Sequence, residues 1–152
     1  MKIGILSDTH GLLRPEAVAR LEGVDHILHA GDIGRPEVIE ELRRLAPVTA
    51  VRGNVDRGPW AAAYPETARL PLAGRTILLL HDRATLALDP AAAGIEIVVS
   101  GHSHQPKVET RDGVLYLNPG SAGPRRFRLP IALATLDLDG NPLRPVLHDL
   151  AA

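Results

Sequence analysis

Seven side chains in this sequence have the types needed to hold divalent cations. They fall in five short clusters: Asp8 with His10, Asp32, Asn54, His81, and His102 with His104. Carboxylate and amide oxygens together with imidazole nitrogens form a mixed hard and borderline donor set. Such a set suits Mn, Fe, Zn, Co or Ni better than Ca or Mg alone. Seven donors exceed what one tetrahedral site needs, whereas two sites sharing a bridging carboxylate use them all. Two ions about 3.5–4 Å apart can clamp a phosphate and acidify a water between them, the two-metal mode of in-line displacement. Each cluster alone carries little weight. A Gly-Asp pair is usually a turn, and a single His is more often a hydrogen-bonded or surface residue than a ligand. The weight lies in their joint arrangement.

Each cluster follows a short apolar run that reads as a strand. Lys2–Leu6 leads into Ser7-Asp8-Thr9-His10-Gly11, Asp25–Ala30 into Gly31-Asp32, and Pro47–Arg52 into Gly53-Asn54. Thr76–Leu80 leads into His81-Asp82, and Ile95–Val99 into Ser100-Gly101-His102-Ser103-His104. In open α/β sheets the carboxyl ends of strands line the crevice where ligands sit. Parallel neighbours would therefore bring these side chains together. Two helices between the first strands support parallel pairing. Pro15–Glu22 starts with a proline suited to a first turn. Pro36–Leu45 aligns Val38, Ile39, Leu42 and Leu45 on one face. Arg57–Glu66 reads as loop, and Ala68–Leu72 as a strand turning at Ala73-Gly74. Ala and Leu richness predicts a helix over Ala84–Ala93, against which Pro90 counts. The last third reads all-β. Lys107–Thr110 and Val114–Leu117 flank an Arg-Asp-Gly turn, and Ile131–Leu138 and Leu143–Leu150 flank Asp139-Gly140-Asn141.

The chain's 152 residues fit a single domain, residues 1–152, with no boundary or repeat in view. Aromatics are 3%, so the expected core is Ile, Leu, Val and Ala. The absence of Cys removes disulfides, thiolate metal sites and Cys nucleophiles. A net charge of -1 gives no support to a nucleic-acid or membrane partner reached through bulk positive charge. No window approaches a membrane span, and the first apolar run is too short for a secretory core. The expectation is a cytoplasmic protein with a small phosphate-ester substrate. Its oligomeric state, a homo-oligomer included, is left open.

With the order Asp-x-His, Gly-Asp, Gly-Asn, His, Gly-His-x-His across Asp8 to His104, the sequence resembles the calcineurin-like metallophosphoesterases. Its size and Asn118-Pro119-Gly120-Ser121 resemble the small bacterial and archaeal phosphodiesterase branch. The resemblance implies an α/β fold, a four-layer αββα sandwich of two mixed sheets flanked by helices. It implies two divalent ions per chain, Mn first, with Fe, Zn, Ni or Co as alternatives. Asp8, His10 and His104 would hold one ion, and Asn54, His81 and His102 the other, with Asp32 bridging. A bridging hydroxide would attack phosphorus, with Asp32, Asn54 and His102 the residues closest to the chemistry.

The sequence also departs from the family pattern. Many relatives carry His after Gly-Asn as a leaving-group acid, where this chain has Val55, followed by Asp56. His81 is followed by Asp82 where Gly is common, which could add a carboxylate behind the ligands. The leading function is a metal-dependent phosphodiesterase, with a phosphomonoesterase as the near alternative. A non-catalytic metal-binding scaffold for protein assembly is the alternative outside enzymes. A metal-free nucleotide-binding domain ranks low, because Gly-x-Gly-x-x-Gly and the Walker pattern are absent. His26 and His148 read as structural, and His29 as either a core residue or a brace. Arg125, Arg126 and Arg128 read as a solvated loop, and Arg57–Glu66 and Ser121–Arg128 as pocket-shaping loops.

Overall fold

The computed structural model describes residues 1–151. Strand β1 (Lys2–Leu6) is buried from Ile3 onward, as an apolar run in a covered parallel sheet requires. It pairs in parallel with β2 (His26–His29), and β2 with β3 (Val48–Ala50). Helices α1 (Pro15–Leu21) and α2 (Pro36–Arg43) make the crossovers, each with proline at its start. The sheet is completed from the far end of the chain. Strand β9 (Ala132–Asp137) lies antiparallel against the free side of β1, and β10 (Val146–Asp149) against β9.

The second sheet contains β4 (Thr67–Leu72), β5 (Arg75–Leu80), β6 (Ile97–Val99), β7 (Lys107–Arg111) and β8 (Val114–Asn118), in the order β4-β5-β6-β8-β7. Its three central strands are parallel and its edges antiparallel. The two edge hairpins turn on Ala73-Gly74 and Asp112-Gly113. All four residues have positive φ, the backbone of the two-residue turn that matches strand twist.

Three apolar layers hold the sheets. Ile3, Ile5 and Leu28 of the first sheet meet Ile77, Leu79, Ile97 and Val99 of the second. Leu21, Val38, Ile39 and Leu42 of the helices cover the first sheet's other face. Leu78, Leu80 and Val98 face outward from the second sheet. This is the expected sandwich of two mixed sheets, with two corrections. Residues 84–93 form no α-helix. A 3-10 turn at Arg83–Thr85 is followed by a turn around Pro90, and these irregular turns bring Leu86 and Ala93 onto the outer layer. Local chemistry overrides the Ala and Leu richness: Asp82 accepts from the Ala84 N–H, and Asp89 from the Ala91 N–H. Pro90 also biases Asp89 away from helical backbone. A second 3-10 turn, Pro59–Ala63, lies within the expected Arg57–Glu66 loop. The last strand is shorter than expected, since Pro142 and Pro145 cannot donate to a ladder. Among the described residues no helix is long and apolar enough to cross a membrane.

Candidate metal centre

Register places the chemistry. Leu6 lies opposite His29 and His29 opposite Ala50 in one sheet; Leu79 lies opposite Val99 and Val99 opposite Leu117 in the other. The strands thus end level, and the loops that follow meet above the inter-sheet core. All seven singled-out side chains gather there. Asn54 Oδ1, Asp32 Oδ2 and His102 Nδ1 lie 3.0, 3.3 and 3.3 Å from His81 Nε2. Asp32 Oδ2 lies 3.6 Å from His10 Nε2. Asp8 Oδ1 lies 3.7 Å from His10 Nε2 and 3.3 Å from His104 Nε2. Asp8, Asp32, His81 and His104 are buried, whereas Asn54 and His102 open to solvent.

Hydrogen bonds fix which atoms face inward. His81 Nδ1 donates to the Ala30 carbonyl at 2.8 Å, so the ring in its neutral form, the one that binds a metal, presents a bare Nε2 lone pair to the centre. Around that atom stand two oxygens that only accept and another imidazole nitrogen. Asp8 Oδ2 is satisfied by the Ser7 hydroxyl at 2.6 Å and the His102 N–H at 3.1 Å. Asp8 Oδ1 and His10 Nε2 are buried without a hydrogen-bond partner. Lone pairs converging with no proton to share call for a cation. Donors sharing an ion at about 2.0–2.2 Å lie roughly 3–3.5 Å apart, the spacing found around His81. Asp8, His10 and His104 form one group able to hold an ion, and Asp8, Asp32 and His81 a second. The residues present fit divalent metal.

The electrostatics agree. Without a metal, burial alone would raise the Asp32 carboxyl, but a protonated His81 ring and the Val55 N–H outweigh it and hold it down at about 2. Against the pull of its own burial, His81 is raised in turn by Asp32 and Asp8, a positive charge that a divalent ion would replace. Burial likewise opposes ionisation of Asp8, and the His10 ring and Ser7 hydroxyl reverse it, leaving the group below its ordinary value. Both carboxylates are therefore charged, as ligands must be.

Several side chains brace the centre. Asp56 accepts from the Ile33, Gly34 and Gly53 N–H groups, clamping the Asp32 loop to the Asn54 loop. Ser121 Oγ donates to the Asp8 carbonyl, and Asn118 Nδ2 to the Gly101 carbonyl. His29 is fully buried and takes the role of brace. Its Nδ1 accepts from the Gly31 N–H, and its Nε2 faces Thr9 Oγ1 at 3.0 Å. Asp82 Oδ2 lies 3.9 Å from His102 Nε2. His26 and His148 bond Thr49 and Thr135, away from the centre. Arg125, Arg126 and Arg128 are exposed. Two clefts flank Asp82 and His102; Glu66 lines one of them, and neither is lined by residues 121–128.

The family model for the calcineurin-like phosphoesterase superfamily domain matches residues 1–141. A "probable metallophosphoesterase" of Methanothermobacter thermautotrophicus is 35% identical over 155 aligned positions, covering 94% of this chain and 89% of that protein. An archaeal phosphodiesterase of known structure superposes with a TM-score of 0.81 at 26% identity, covering 97% of this chain and all of the other. Vps29 of Entamoeba histolytica, solved with Zn2+, is 23% identical with a TM-score of 0.74 over 99% of each chain, a likeness of fold alone. The match over nearly the whole length, together with the five loops that meet at one centre, makes this chain a member of the calcineurin-like phosphoesterase superfamily.

Proposed function

We propose that the chain acts as one metallophosphoesterase domain that hydrolyses phosphate diesters with two divalent ions, manganese first among the candidates. Asp8, His10 and His104 would hold one ion and Asn54, His81 and His102 the other, with Asp32 between them. The observation that carries this reading is the set of inward lone pairs left without protons, Asp8 Oδ1 and His10 Nε2 above all. When bound, the ion pair supplies Lewis acidity toward phosphate oxygens and lowers the pKa of water.

The remaining roles belong to the chain. Asp32 keeps Oδ1 on the Val55 N–H, which aims Oδ2 between His10 and His81. His81 is held in one tautomer by Ala30. Asn54 and His102 form the solvent-facing side on which a substrate can settle. No proton donor stands after Asn54: Val55 has none, and the Asp56 carboxylate is spent on three amides. Without a positioned acid, which typically contributes about 10²–10⁴-fold, esters with good leaving groups are favoured. This supports an activated or nucleotide diester over a simple monoester.

Protein purified without chelators is expected to carry two equivalents of metal by elemental analysis. With Mn2+ it is expected to hydrolyse bis(4-nitrophenyl) phosphate faster than 4-nitrophenyl phosphate, and Asp32→Ala to abolish both activities. Faster monoester turnover would reverse the order of substrates. Absence of any turnover from metal-loaded protein would leave a binding scaffold in its place.

A further inference from the structure

Two clefts open on opposite sides of the wall made by Asp82 and His102, and their charges differ. One, of about 370 Å³, reaches along Asn54 to Arg52, Glu66 and Thr67. Its only arginine is already committed, with Nη1 on the Tyr64 carbonyl and Nη2 3.4 Å from Glu66. The other, of about 290 Å³, lies at the ends of β5, β6 and β8 and includes Arg83, Lys107, Ser103, Gln105 and Asn118.

In this second cleft the two cations share a single carboxylate, Glu109, with a third cation, Arg111. Arg83 Cζ lies over the Tyr116 ring, 4.0 Å from its centroid, and Nη2 donates to Glu109 at 3.1 Å. The ring contact and that single bond hold the guanidinium in place, while its other nitrogens make no hydrogen bond among the described residues. Lys107 and Arg111 also lie 3.1 Å from Glu109. Glu109 thus divides one negative charge among three cations, and in the cleft lining itself Arg83 and Lys107 stand against Asp82, a net of one positive charge. Charged residues on β7 guard an exposed edge strand in any case, but Arg83 comes from another strand's end and is not explained that way. A rigid guanidinium fork beside a flexible ammonium suits a phosphate group.

We infer that this cleft binds a phosphate-bearing arm of the substrate, with Arg83 and Lys107 determining specificity for it. The inference rests on the phosphodiesterase reading and adds a direction to it. The diester lies with its anionic arm toward Lys107 and its uncharged arm toward Thr67.

Two nitrophenyl diesters that differ by one phosphate make the test: the 4-nitrophenyl 5′-ester of thymidine 5′-phosphate, with and without a 3′-phosphate. Wild-type protein loaded with Mn2+ is expected to prefer the 3′-phosphorylated compound in KM. Lys107→Ala and Arg83→Met are each expected to reduce the ratio of the two kcat/KM values about tenfold, the size of one charge-assisted hydrogen bond. Lys107→Arg is expected to restore the ratio. Lys107 is an exposed strand residue, 60% accessible along its side chain, so its replacement leaves the core intact. Equal preference in the wild type, or a ratio unmoved by both substitutions, would overturn the inference while leaving the hydrolase standing. If neither diester is hydrolysed, the hydrolase reading falls. Calorimetry with thymidine 3′,5′-bisphosphate then decides the cleft: binding weakened by Lys107→Ala sustains it, and equal binding removes it.

Discussion

Asp8, His10, Asp32, His102 and His104 all hold left-handed backbone, with φ between 47° and 69°. A non-glycine residue in that region costs on the order of 1–3 kcal/mol, so five of the seven proposed ligands are held in place against their own preference. The braces supply the opposing force. Asp56 joins three backbone N–H groups, and losing such a partner costs about 1–3 kcal/mol per buried group. Asp56→Ala is expected to lower the melting temperature by roughly 6–12 °C and to reduce metal content, measured by thermal denaturation and elemental analysis. His29 makes a pH-dependent contribution. Burial holds it neutral in the fold down to about 4, against an ordinary value of 6.5. The unfolded chain therefore binds more protons between those values, and stability falls as pH drops from about 6.5 to 4. Denaturant titrations of chelated protein are expected to show that loss, on the order of 3 kcal/mol in full. A His29→Asn variant is expected to show a flatter profile, and an unchanged acid limb would refute the assignment.

At the level of elements, the centre depends on strand ends that stop level and on loops packed without side chains between them. A Cβ on Gly101 would press on Ser7 Oγ and Asp8 Oδ2, and one on Gly53 would collide with Asp32. Gly101→Ala is expected to keep the far-UV circular dichroism of the fold while losing metal at the Asp8 side by at least tenfold in affinity, the scale seen when supporting groups around a ligand are disturbed. Most of these elements were legible beforehand, because apolar runs ending in polar clusters mark parallel strands and Pro15 and Pro36 mark helix starts. The stretch from Ala84 to Ala93 was not. Its composition favours a helix, but Asp82 and Asp89 bond the backbone locally and Pro90 interrupts it. The gathering of the seven side chains was also legible, since it needs only that consecutive strands run the same way. Ser7 was not, and although Asp56 and the Asn118–Ser121 turn stood out, their partners did not, because these are backbone or carboxylate groups whose position depends on the folded loops.

For the molecule as a whole, paired carboxylates and strained loops make the metal-free state the less stable one. A ligand that binds only the folded chain at 100 times its dissociation constant adds about 2.7 kcal/mol. Mn2+ is therefore expected to raise the melting temperature by roughly 5–10 °C and chelation to remove the gain, which scanning calorimetry can follow. The first sheet has a further consequence for how the protein is made. Its central strand β1 is synthesised well before β9, which covers one of its flanks more than 120 positions later. During translation that flank stays open, and the nascent chain carries an unpaired hydrophobic ribbon of the kind that draws chaperones or neighbouring polypeptides. Ser121 and Asn118, which secure the Asp8 and Gly101 loops, also emerge late. Cation capture thus waits until the ribosome has delivered the segments that carry Asn118, Ser121 and β9.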